Sequence, residues 1–177
     1  MKRKVLWISG GILLIALIAG YNYLGGFHKI KMEVVETTDY HLIGNYYEGR
    51  YDRDSIATLF FEAKKFVDDN KNSGILSVIN FLGQKEIENG DSVEIFVGVI
   101  MPDEPSDISD QLDYRKIQGG KILRASVEAH SLVIPTREKI EGEMKKFAQE
   151  KAVLLQPIII EKYISDEKLV VESIISP

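Results

Sequence analysis

One order of elements is written twice along the chain: strand, strand, helix, strand, strand, with a period of about 80 residues. In the first half, residues 32–37 and 40–48 read as strands around a Thr-Thr-Asp turn. A helix follows in which Ile56, Leu59, Phe60, Ala63, Phe66 and Val67 recur at three- and four-residue spacings and so share one face. Asp54 or Ser55 is its expected cap, because a short oxygen-bearing side chain can accept from an unpaired backbone N–H, and the polar stretch 70–74 ends it. Residues 76–82 and 93–101 are the next two strands, with Asn89-Gly90-Asp91 as a hairpin signal between them.

The pattern restarts after 102–113, a linker rich in proline, serine and acids. Strands at 114–117 and 121–129 flank a Gln118-Gly119-Gly120 turn. Thr136 is placed to cap a helix with Ile140, Met144, Phe147 and Ala148 on one face. Strands at 158–164 and 169–175 then meet through Ser165-Asp166-Glu167, and Pro157 stands at a strand start, where a missing donor is tolerated. The fold class implied is α+β: duplicated halves, 33–101 and 114–175, forming a mainly antiparallel sheet with two helices over one core. A groove between the halves is the default ligand position. The glycine pairs at 25–26 and 119–120 make neither a P-loop nor a dinucleotide fingerprint.

Ahead of this domain, residues 5–27 carry no charged side chain, and Lys2, Arg3 and Lys4 precede them. As a helix the run extends about 34 Å, enough for a hydrocarbon core of about 30 Å. Ala16, Ala19 and Gly20 also suit a cleaved secretory signal, whereas the length of the run and an aromatic belt of Tyr21, Tyr23 and Phe27 favour a retained span. The expected division is therefore 1–26 as a transmembrane anchor or signal and 27–177 as the domain, with the bilayer met through residues 5–24. The basic end stays cytoplasmic, which makes the protein a single-pass cell-membrane protein with an extracytoplasmic C-terminal domain. Without the three leading bases, 19 bases face 27 acids, a surface that repels phosphate backbones and argues against nucleic acid. The absence of cysteine excludes disulfides, thiolate metal sites and a cysteine nucleophile. His28, His41 and His130 are too scattered for a metal site, and no cofactor is expected.

Several short motifs carry a family resemblance: 34–49 with Leu42-Ile43-Gly44, 93–101, 114–130 with Gly119-Gly120-Lys121, Glu161-Lys162-Tyr163, and Glu172-Ser173-Ile174-Ile175-Ser176-Pro177. In this order, with helices between them, they make residues 33–177 resemble a GyrI-like small-molecule-binding domain, the effector-binding half of AraC- and MerR-type regulators. The resemblance implies a groove that takes hydrophobic, often cationic molecules with aromatics and a buried glutamate, here matched to Glu172. It departs at Ile174, where an aromatic is usual, and at Ser176, which displaces a proline. A membrane segment stands where the regulators carry a helix-turn-helix.

Glu172 lies between Val170 and Ile174 on one strand face, so it is either a pocket carboxylate or a solubilising edge charge. Glu161 and Tyr163 share a face of the preceding strand and are expected across the hairpin from it. Tyr46 and Tyr47 point to opposite faces, so one at most lines a groove, and Tyr51 is placed to close it from a loop. These six residues are the candidate ligand-binding set. The function implied is a membrane-tethered extracytoplasmic binding module for a small apolar or cationic ligand. The alternatives are a protein-interaction or envelope-structural domain with a filled groove, which would take a protein partner in the envelope, and a glutamate-dependent small-molecule hydrolase.

Overall fold

The computed structural model describes residues 2–26, 29–70, 74–82, 92–105, 108, 112–130 and 132–176, with side chains from Gly11 onward apart from those of residues 69 and 70. Helix α1 (Lys2–Tyr23) precedes β1 (Lys31–Thr37), β2 (Tyr40–Arg50), α2 (Arg53–Asn70), β3 (Ile75–Phe81) and β4 (Ser92–Met101). The second half contributes β5 (Asp113–Ile117), β6 (Gly120–Glu128), α3 (Arg137–Glu150), β7 (Leu155–Ser165) and β8 (Lys168–Ile175). The hairpin signal at 89–91 lies outside the described residues, as does much of the linker at 102–113.

Among the described residues eight strands form one antiparallel sheet in the order β1-β6-β8-β7-β3-β4-β2-β5. Exchanging each strand for its counterpart in the other half reverses this order and leaves it unchanged, with the exchange centred between β7 and β3. Each half therefore lends its first strand to the other. The two links read as turns do not join paired strands: β1 pairs with β6, and β2 with β5. Thr37 faces Gly120 and Tyr40 faces Ile117, so a single register runs through both ladders and the two links are a shared bend in one long ribbon.

Asp39 pins this bend, accepting from the Gly119 N–H at 2.9 Å and pairing with Lys116 at 2.8 Å. A Cβ on Gly119 would stand 2.3 Å from the Thr38 carbonyl oxygen, so the strands meet there at a distance that only glycine allows. Because the ribbon joins both edges, the sheet curls. Tyr40 on β2 reaches Glu172 on β8 at 2.8 Å, although the strands lie four steps apart, about 19 Å in a flat sheet.

The curl encloses one face, where Leu42, Ile79, Phe96, Ile100, Ile117, Ile122, Ile160 and Ile174 are buried in a cluster to which, among the described residues, no helix residue contributes. Both amphipathic helices cover the other face. Helix α2 sets Ala63, with Ile56, Leu59, Phe60 and Val67, against Leu76, Ile95 and Val97. Helix α3 sets Ile140, Met144 and Ala148 against Leu123, Ala125, Ile159 and Val171. The cap of α2 is Asp52 rather than Asp54 or Ser55: its carboxylate accepts from the Asp54 N–H and the Ser55 hydroxyl. Thr136 holds the N-cap position of α3 in extended geometry, without a side-chain cap bond.

Helix α1 covers the run expected to span a membrane, and Ile12, Leu13, Leu14, Ile15, Leu17 and Ile18 on it are all exposed. Among the described residues no helix is long and apolar enough to cross a membrane, so the anchor rests on the sequence run alone. The segment meets the body where the Leu24 carbonyl accepts from the His130 N–H at 2.9 Å.

Candidate functional site: a groove between the two helices

A groove of about 970 Å³ lies over the sheet, walled by both helices. One wall is α2, through Phe60, Lys64 and Val67; the other is the start of α3, through Arg137 and Ile140. His130, Ile134 and Pro135 of the β6–α3 connection also line it. The floor is Leu76 of β3, Glu161 and Tyr163 of β7, and Leu169 and Val171 of β8. Strand alternation explains the floor: Leu76 pairs with Tyr163, Glu161 with Val171 and Tyr163 with Leu169, which puts them all on the helix face.

Glu161 is buried, and its polar contacts come from three elements. Tyr163 donates its hydroxyl at 3.0 Å to one carboxylate oxygen. Asn80 donates its amide at 3.2 Å to the other, which also lies 3.5 Å from the Arg137 guanidinium. Arg137 itself donates to the Asn80 carbonyl at 2.7 Å and to Glu141 at 2.6 Å. Burial pushes the Glu161 carboxyl above its ordinary range, against the opposing pull of Arg137 and of the Tyr163 and Asn80 hydrogen bonds. Burial also raises the Tyr163 phenol, and the neighbouring Glu161 charge adds to the rise. Phe60 stands edge-on to Tyr163, 5.1 Å between ring centres at 79°, so an aromatic corner adjoins the carboxylate.

Glu172 lies on the other face. It pairs with Ile160 and Arg124, whereas Glu161 pairs with Val171, so the two carboxylates point to opposite sides of the sheet rather than across a hairpin from one another. Within the curl Glu172 is fully buried and accepts from Lys162 at 2.6 Å, Arg124 at 2.7 Å and Tyr40 at 2.8 Å. Arg124 extends the chain to Glu33 at 3.7 Å. Burial, followed by the Glu172 charge, raises the Tyr40 phenol. This is an ion network that runs from the buried Glu172 out to the partly solvated Arg124 and Glu33.

The remaining candidates are dispersed. Tyr46 lies on the enclosed face under the Arg115 guanidinium, 5.0 Å from its ring centre, and donates to Glu48. Tyr47 lies on the helix face but donates to the Arg50 carbonyl at 2.6 Å, and Tyr51 is exposed before α2. None of the three lines the groove. His41 bonds and stacks on Tyr114, and among the described residues no His, Asp or Glu cluster suits a metal ion. Sequence reasoning missed Arg137, Asn80 and Glu141. The available signal was an arginine opening a helix with a glutamate four residues on, an ion-pair spacing that also reads as plain helix surface.

No family model and no curated protein matches the sequence. Solved structures do match the fold. The C-terminal domain of EcmrR superposes with a TM-score of 0.55 at 10% identity, over 83% of this chain and 98% of that one. SAV2435 bound to tetraphenylphosphonium gives 0.58 at 14%, over 82% and 94%. A hydrolase from Listeria innocua gives 0.54 at 11%, over 84% and 93%. EcmrR and SAV2435 carry GyrI-like folds, so the antiparallel α+β part of the expectation agrees with the observed body; at these identities the likeness is one of fold.

Proposed function

We propose that residues 27–177 are a binding module that takes a small apolar cation in the groove between α2 and α3, with Glu161 as counter-charge and Tyr163 and Phe60 as the aromatic corner. The observation that carries this reading is a buried carboxylate on the floor of an open groove of about 970 Å³. A volume of that size suits a drug-sized molecule and speaks against a groove packed shut by its own side chains. Support also comes from SAV2435, which shares the fold and was solved with tetraphenylphosphonium.

Calorimetric titration of the full chain with tetraphenylphosphonium is the test. Glu161→Gln, which keeps the shape, should weaken binding by about 1.5–3 kcal/mol, the range of a charge-assisted contact. Equal affinity in the variant would remove Glu161 from the site. The same proposal includes the tether: the exposed apolar face of α1 behind Lys2, Arg3 and Lys4 suits a bilayer, with the module held outside the cytoplasm.

A further inference from the structure

The counter-ion of Glu161 is already in the groove, and its geometry says what kind of cation can replace it. Three acceptors converge on the Arg137 guanidinium: Asn80 at 2.7 Å, Glu141 at 2.6 Å and Glu161 at 3.5 Å. The shortest contact to a carboxylate goes to Glu141, on Arg137's own helix, and the longest to Glu161, on the floor. Arg137 is thus anchored on one side and leans over Glu161 on the other, with its side chain 38% exposed along the groove wall. A planar group with several N–H donors matches these oxygens; a fully alkylated cation satisfies their charge but none of their hydrogen bonds.

We propose that Arg137 is an internal competitor for the groove, and that the ligand class favoured by the site is a flat N–H-bearing cation, an aryl amidinium or guanidinium, which takes over the acceptors of Glu161 and Asn80 while Arg137 withdraws onto Glu141. The inference rests on the cation-binding reading of the groove and adds the recognition chemistry and the latch. An internal occupant lowers apparent affinity by the fraction of time the seat is free, so removing it raises affinity for the ligand that uses the same acceptors.

The experiment titrates the full chain with benzamidine and with phenyltrimethylammonium, an aromatic cation without N–H donors, by calorimetry. Arg137→Met, which keeps length without charge, should bind benzamidine about tenfold tighter than wild type, while phenyltrimethylammonium changes less than about threefold. Glu141→Gln removes the anchor to which Arg137 withdraws and should weaken benzamidine. This variant leaves Glu161 its charge partner, and it decides the matter if Arg137→Met melts early. Opposite signs in the two variants support the latch, since a merely structural role would move both probes together. Wild-type-like benzamidine affinity in both variants, with Glu161 still required, overturns the latch and leaves the groove reading standing. No binding of either probe by any form, tetraphenylphosphonium included, removes both.

Discussion

Replacing Glu172 with glutamine tests whether the carboxylate inside the curl is structural. The change keeps shape and some hydrogen bonding but leaves two cations facing a neutral amide. Lys162 is 12% exposed at its side chain and Arg124 is 28% exposed, while Glu172 itself is fully buried. Breaking a buried ion pair by removing one partner costs about 3–5 kcal/mol. Arg124 is partly solvated and has Glu33 at 3.7 Å as a second partner, so its share is screened and the expected loss lies near the lower end, about 3 kcal/mol. For a domain of this size that lowers the melting temperature by roughly 6–12 °C. Calorimetric melting supplies the stability change, and titration with tetraphenylphosphonium well below the transition supplies the affinity, which should stay within about twofold because Glu172 does not line the groove. An unchanged melting temperature with a tenfold loss of affinity would refute the reasoning and return Glu172 to the site.

Cation binding should depend on pH through Glu161: with its carboxyl raised by burial, affinity falls as pH drops through that raised value, and Glu161→Gln flattens the profile. The stability effect has the opposite sense, because a raised folded-state value means the native state holds the extra proton. The contribution of protonated Glu161 is complete below the unfolded carboxyl range and is lost as pH rises through the folded value, which melts of wild type and Glu161→Gln across pH will show. Gly98→Ala should destabilise by about 1–3 kcal/mol, since its Cβ would stand 2.2 Å from the Ile43 carbonyl oxygen beside the Gly44–Gly98 pair; a wild-type melting curve would contradict that approach. The full chain should sediment with membranes and residues 27–177 should not, whereas a soluble mature species beginning near residue 20 would replace the anchor with secretion.

The element order was legible because each strand and helix carries its own period: Ile140, Met144 and Ala148 needed only helical spacing to be placed in the core. Pairing was not legible in the same way. Nothing in Thr38-Asp39 or Gln118-Gly119 distinguishes a hairpin from a bend in a shared ribbon, because both need the same turn chemistry. The difference lies in which strand arrives opposite, a property of the other half of the chain. The site suffered from the same gap on a smaller scale. Glu161 and Glu172 are both acids within apolar strands, and whether they face each other depends on the parity of one hairpin register. The irregularity between Tyr163 and Ser165 sets that parity, and a shift of one residue would move every side chain of the strand to the other face.

Strand β7 shows why the two carboxylates can do separate work at such close quarters. Along residues 160–163 its side chains alternate: Ile160 and Lys162 point into the curl, where Lys162 holds Glu172, and Glu161 and Tyr163 point out into the groove. The interior ion network therefore grips the same backbone that aims the groove carboxylate. That backbone is also held by ladders to β3 on one side and β8 on the other, so its position does not rest on Lys162 alone. A site carried this way sits on a strand paired on both sides, while its partner Arg137 comes from the opening turn of a helix. A precise floor and an exchangeable wall are the division of labour that the proposed trade of an internal cation for an external one requires.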